Sequence, residues 1–183
     1  MKSLLLASSV AFGLLLPSQH APRTAGTAGP IVQRFLCERS YMNHAYGYRH
    51  SGIFVDRDGS IYEFRVEHTI PPQPRRTPDL TEAEMDDKYG TERRRIGTVP
   101  AVELRAMYQL IPAAARGRFS RTVSGGADRG GVVSSCYVFD TVTKRYREIE
   151  LTVAGDWEYH NLAPEARTLA TWLASLGWAG DKR

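Results

Sequence analysis

Between Gly52 and Val66 the chain reads Gly-Ile-Phe-Val-Asp-Arg-Asp-Gly-Ser-Ile-Tyr-Glu-Phe-Arg-Val, two strand-like runs around Asp58-Gly59. Asp-Gly between alternating apolar runs is the strongest short signal for a β-hairpin, because a type I′ turn needs positive φ at both central residues. With Asp58 and Gly59 as a two-residue loop, Arg57 faces Ser60, Val55 faces Tyr62 and Ile53 faces Phe64. One face then carries Ile53, Val55, Tyr62 and Phe64, and the other is mixed, with Phe54 and Ile61 beside Asp56 and Glu63. A slip of one residue would exchange the faces of one strand, so this hairpin sets how the rest of the chain packs.

The N-terminus bounds what remains. Lys2 precedes an apolar run from Leu4 to Leu16, followed by a Ser/Pro/Ala/Gly/Thr-rich stretch, the order of a secretory signal peptide. The apolar run is shorter than the roughly 20 residues a spanning helix needs, so no membrane span is expected after cleavage. Residues 1–28 are read as the signal and residues 29–183 as a single domain, exported to the periplasm or the medium. The whole chain has 24 Lys and Arg and 20 Asp and Glu; the signal removes Lys2 and Arg23 and no acid, leaving 22 against 20. Basic and acidic blocks alternate along what remains, a balance that argues against a nucleic-acid binder. Cys37 and Cys136, an even count in an exported chain, are expected to form a disulfide. Closing a loop of about 100 residues stabilises by up to about 4.7 kcal/mol in the chain-entropy model.

Along the chain, residues 31–42 read as an opening strand, and 132–153 as a second hairpin with Thr141–Lys144 as its loop and Cys136 opposite Ile149. Four prolines make 68–80 an irregular loop, and the Arg/Gly/Ser-rich 116–131 stretch is another. Thr81 with Glu84 three residues on is a capping box for a short acidic helix to about Lys88, and Glu92 to Arg95 then reads as solvated charge. Thr98-Val99-Pro100 opens a helix to about Ala115 with Val102, Ala106, Met107, Leu110 and Ile111 as its apolar stripe. A last helix runs to Leu176, with Gly177 past its end and Trp178 folding back against it. The expected fold is α+β: an antiparallel sheet of about five strands, made of two hairpins plus the N-terminal strand, with two main helices on one face.

The chemistry is sparse. Asp156, Glu158 and His160 share one side of an extended segment and, joined by His44 and His50, would be the best set for a metal or an acid–base pair, though the spacing is generic. Asp56-Arg57-Asp58-Gly59 lacks the glycine position of a calcium loop, and no Gly-x-Ser-x-Gly or phosphate loop is present. No cofactor or metal is assigned. Tyr41, His44, Tyr46, Tyr48 and His50 have the composition of a recognition surface. The residues therefore favour a secreted or periplasmic binding protein, an inhibitor or immunity-type partner of another protein. The alternatives are a small envelope hydrolase or metal-dependent enzyme using His44, His50, Asp156, Glu158 or His160, and a structural envelope protein.

Overall fold

The computed structural model describes residues 30–45, 47–68, 79–178 and 180. Residues 1–29 (where the expected signal falls), Tyr46 and most of the 68–80 loop lie outside the described residues. The strands are β1 (Phe35–Asn43), β2 (Tyr48–Asp56), β3 (Ser60–His68), β4 (Leu80–Thr81), β5 (Arg93–Thr98), β6 (Val123–Ser124), β7 (Gly131–Asp140), β8 (Arg145–Gly155) and β9 (Trp157–His160). They form one sheet in the order β5-β3-β2-β1-β7-β8-β9-β6, with β4 beside the start of β8. Every ladder between these strands is antiparallel.

The fold is α+β as expected, but the sheet has nine strands rather than about five. The extra strands come from segments with weak strand signals. Three consecutive arginines open β5, which is tolerable because β5 is an edge strand whose side chains reach water. The 116–131 stretch is not irregular throughout: Phe119 bridges Asn161, and β6 pairs with β9.

Helices cover both faces. Helices α2 (Ala101–Ala114) and α3 (Pro164–Ser175) lie on one face, over Cys37, Ile53, Val55, Ile61, Cys136 and Ile149. Helix α1 (Glu82–Tyr89) lies on the other, where Met85 and Tyr89 join Phe35, Phe54, Phe64, Tyr137 and Tyr146. Burying each large apolar side chain contributes about 1.5–3 kcal/mol, so each face has a core of its own. The capping box forms: Glu84 N–H donates to Thr81 Oγ1 at 3.2 Å, and Thr81 N–H to Glu84 Oε2 at 2.7 Å. Trp178 folds back into the α2/α3 core after Gly177, whose φ is +78°. In α2 the buried residues are Leu104, Ile111 and Ala114, while Val102 is 83% exposed, so the stripe is rotated from the expected one. The N-cap of α2 is Pro100, with no side-chain cap from Thr98.

The first hairpin differs from the expected register by one residue. Val55 pairs with Ile61, Phe54 with Tyr62 and Gly52 with Phe64, so the loop is Arg57-Asp58-Gly59. Gly59 N–H donates to Asp56 O at 3.1 Å, and Gly59, but not Asp58, has positive φ, at +84°. This is a type I turn followed by a left-handed residue, the three-residue alternative to the type I′ loop. Asp56 Oδ1 accepts from the backbone of Asp58 and of Ser60, which fixes the longer loop. The slip is tolerated because both faces are buried: Ile61 joins the α2/α3 core and Phe54 and Phe64 the α1 core. The second hairpin has the expected register, with Cys136 opposite Ile149 and Asp140 opposite Arg145. The Cys37–Cys136 disulfide is formed.

A methyl group on Gly59 would lie 2.6 Å from Val99 O in addition to straining its φ. Gly59→Ala is therefore expected to lower the unfolding free energy by at least about 1 kcal/mol in urea titrations, with an unchanged fold by circular dichroism.

Candidate functional site

Alternation along β1 and β2 decides which side chains of residues 41–50 can act together. Tyr41 lies on the α2/α3 face, with its hydroxyl donating to Arg129 O at 2.9 Å. Tyr48 and His50 point to the α1 face and are buried, and His50 packs edge-on against Phe64 at 4.8 Å. His44 is exposed beside Tyr48, with ring centroids 5.3 Å apart. The four described members of this group are thus divided between two faces.

The second histidine-bearing segment does not meet the first. Asp156 accepts from Arg129 N–H at 2.8 Å, and Glu158 and His160 are exposed on β9. Strands β1, β7 and β8 separate β9 from β2, which places His160 roughly 19 Å from His50 across the sheet at the usual strand spacing. Among the described residues no three His, Cys, Asp or Glu side chains converge to hold a metal ion.

Two other constellations emerge. The first is a buried ionisable cluster under α1. Lys88 Nζ lies 2.9 Å from Glu38 Oε1 and donates to the Tyr137 hydroxyl at 2.6 Å, with Glu148 at 3.5 Å. Burial by itself would raise the Glu38 carboxyl, but the Lys88 ammonium and the hydrogen bonds it receives hold it down at about 2. Burial pushes His50 down to about 4, outweighing the nearby Glu38 carboxylate, so its imidazole is neutral at pH 7. Neither His50 nitrogen has a hydrogen-bond partner among the described residues, nor do Glu38 Oε2 and Ser135 Oγ. The cluster contains an acid, a base and an imidazole, but the Lys88 side chain is 9% exposed and that of Glu38 1%, so the ion pair itself is closed to a substrate. It holds α1 to the sheet.

The second is an open cleft of about 750 Å³ on the α2/α3 face, beyond the helices. Alternation from Ile53 brings Ser51 and Arg49 to this face, and from Ile61 brings Glu63, Arg65 and Glu67. Tyr41, Arg94 from β5, Arg129 and Trp178 also stand on its walls, and His50, Phe64 and Val66 of β2 and β3 reach its lining. Arg65 pairs with Glu67 at 2.7 Å and Arg94 with Glu63 at 2.6 Å. Arg129 donates to Gly125 O at 2.6 Å. Arg49 makes no ion pair within 4 Å among the described residues, but it stands opposite Glu67 across β2 and β3, and the Glu67 carboxyl is held low by the Arg65 hydrogen bond and also by the Arg49 charge. Sequence reasoning passed over Arg49, although its position between Tyr48 and His50 in an extended run puts it on the Tyr41 face. Glu38 and Lys88, 50 residues apart, carried no signal of their pairing.

The molecule is thus an antiparallel α+β protein with an open, arginine-lined cleft and a sealed charge cluster. In comparisons with known proteins, no family model, no curated protein and no solved structure matches the chain.

Lys88→Met leaves the Glu38 carboxylate buried without its counter-charge, and is expected to lower the unfolding free energy by about 3–5 kcal/mol in denaturant titrations. A lowered His50 pKa means that the unfolded chain binds the extra proton first, so this residue's contribution is complete above about pH 6.5 and is lost as pH falls to about 4. Asp56, raised to about 7 by burial and by Asp58, acts in the opposite direction between its ordinary value and pH 7. The His50 effect is therefore read as a difference: the stability advantage of wild type over His50→Gln should shrink by about 3 kcal/mol from pH 6.5 to 4. A flat difference profile would refute the neutral buried imidazole.

Proposed function

We propose that the protein is exported and works as a binding protein, with the cleft as its recognition site for a ligand bearing a carboxylate or phosphate group, free or carried on another protein. The observation that carries this reading is Arg49: an exposed arginine with no ion pair within 4 Å among the described residues, lining a cleft of about 750 Å³. That volume falls within the roughly 300–1,000 Å³ of small-ligand sites, and a guanidinium fork matches the two oxygens of a carboxylate or phosphate. Tyr41 and Trp178 give the cleft amphipathic and apolar wall for the rest of a ligand. Export is supported by Lys2, the Leu4–Leu16 run and the disulfide, which persists in oxidising compartments. Among the described residues no helix is long and apolar enough to cross a membrane. Binding is favoured over catalysis because Glu38 and Lys88, the buried acid and base of the ionisable cluster, lie under α1, and of that cluster His50 alone reaches the lining of the cleft.

The test is thermal unfolding of the full chain at fixed ionic strength with citrate, inorganic phosphate or an acidic dipeptide as probe. A binding anion raises the unfolding free energy with concentration, by about 2.7 kcal/mol at a hundredfold excess over Kd. Arg49→Met should abolish that rise while leaving the unliganded stability within about 0.5 kcal/mol, as for an exposed surface position. An equal rise in wild type and Arg49→Met, or no rise beyond that given by chloride, would overturn the reading.

A further inference from the structure

The sheet ends at β6, and this edge differs from the edge at β5. On β5, Arg93 is bound to Asp86 at 2.7 Å and Arg94 to Glu63 at 2.6 Å, the charged and satisfied form of a guarded edge. Beyond β9, Arg116, Arg118 and Arg121 are exposed and have no acidic partner within 4 Å among the described residues. Of eight large apolar side chains exposed among the described residues, four lie on this edge: Phe119, Val123, Trp157 and Leu162.

The backbone is also open there. Phe119 bridges Asn161 through bonds made by its neighbours, Ser120 N–H to His160 O at 2.8 Å and Leu162 N–H to Arg118 O at 2.8 Å. In an antiparallel ladder a residue flanked in this way turns its own N–H and C=O to the outside. Phe119 therefore presents both groups to whatever lies beyond the edge.

We propose that the edge at residues 118–124 docks an acidic, extended segment of another protein, which adds as a further strand. Main-chain bonds to the Phe119 peptide would set its direction, its acids would meet Arg116, Arg118 and Arg121, and its alternate apolar side chains would cover Phe119 on the face it shares with Tyr159. The residues outside those described hold one acid, Asp181, too few to match the three arginines, which favours an acidic segment of another protein. This surface is separate from the cleft, which none of residues 118–124 lines, and its occupancy does not depend on the cleft reading.

The probe is the peptide acetyl-Glu-Val-Glu-Phe-Glu-Val-amide, titrated into the full chain and followed by amide nuclear magnetic resonance. Shifts are expected at 118–124 and 157–162, weakened by added salt and retained in Arg49→Met. The triple variant Arg116→Glu, Arg118→Glu, Arg121→Glu should bind about tenfold more weakly or worse, with the remaining amide spectrum unchanged as the check on folding. The same peptide N-methylated at alternate residues should lose binding, because it cannot add as a strand; undiminished binding would overturn the strand geometry. Absence of shifts at the edge, or equal shifts from a peptide with Lys for Glu, would overturn the proposal. So would a heparin fragment binding where the peptide does not, which would make the site one for polyanions, or a concentration-dependent dimer formed through this edge.

Discussion

The seam between β1 and β7 is the junction on which the rest of the structure depends. β1 is the innermost strand of the first half of the sheet, with β2, β3 and β5 on one side, and β7 begins the second half, with β8, β9 and β6 beyond it. The seam is held on both faces. On the α2/α3 face the Cys37–Cys136 bond joins cross-strand neighbours, closing a loop across a sequence separation of 99. On the α1 face Lys88 reaches both Glu38 of β1 and Tyr137 of β7. A covalent link and a buried ion pair thus fix the same two strands. They act by different physics: the disulfide limits the unfolded chain, whereas the ion pair, once desolvated, resists the loss of either partner.

The cleft follows from this arrangement. Helices α2 and α3 cover the face where the disulfide and the Ile53, Val55, Ile61 row lie, but β2 and β3 run on past them. On that overhang alternation continues while the covering helices do not, so the positions after Ile53 and Ile61 on the same face become Ser51, Arg49, Glu63, Arg65 and Glu67. On the opposite face the same strands remain covered by α1, which keeps His50, Phe64 and Val66 apolar or neutral. The change from apolar to charged along one face of β3 marks where the helical layer ends.

These facts explain what the sequence did and did not disclose. The second hairpin was legible in register because its four-residue loop is bounded by Asp140 and Arg145, and Cys136 had to face the core. The first was legible as a hairpin but not in register, since Phe54 and Ile61 looked like the mixed outer face when that face is a second core under α1. Alternation cannot choose between registers when both faces are buried. Asp56, which organises the longer loop, acts through side-chain acceptance that a turn dipeptide rule does not contain. Strand β5 was hidden by Arg93, Arg94 and Arg95, whose strand character comes from pairing with β3 rather than from propensity. The aromatic stretch was recognised, but its division between two faces moved Tyr41 to the cleft and His50 to the interior, and the pairing of Glu38 with Lys88 exists in three dimensions alone.

The molecule separates two kinds of charge, and in the proposed reading that separation suits the cleft to recognition. Arg65 and Arg94 are 68% and 75% exposed, and such ion pairs are worth about 0.2–1 kcal/mol, so exchanging Glu67 or Glu63 for a ligand's anion costs little. Arg49, opposite Glu67 but with no ion pair within 4 Å among the described residues, has the weaker attachment, and in the proposed reading an anion there would gain a charge-assisted bond. Lys88 and Glu38 stand at the other limit, where breaking the pair costs several kcal/mol and no ligand arrives to replace it. The rigid charges hold β1, β7 and α1 in place, and the scaffold they fix presents the exchangeable ones. A site built on strands in this way keeps its arginine positions while altering their partners, so in the proposed reading selectivity would rest on the spacing of Arg49, Arg65 and Arg94 across β2, β3 and β5 rather than on loop rearrangement.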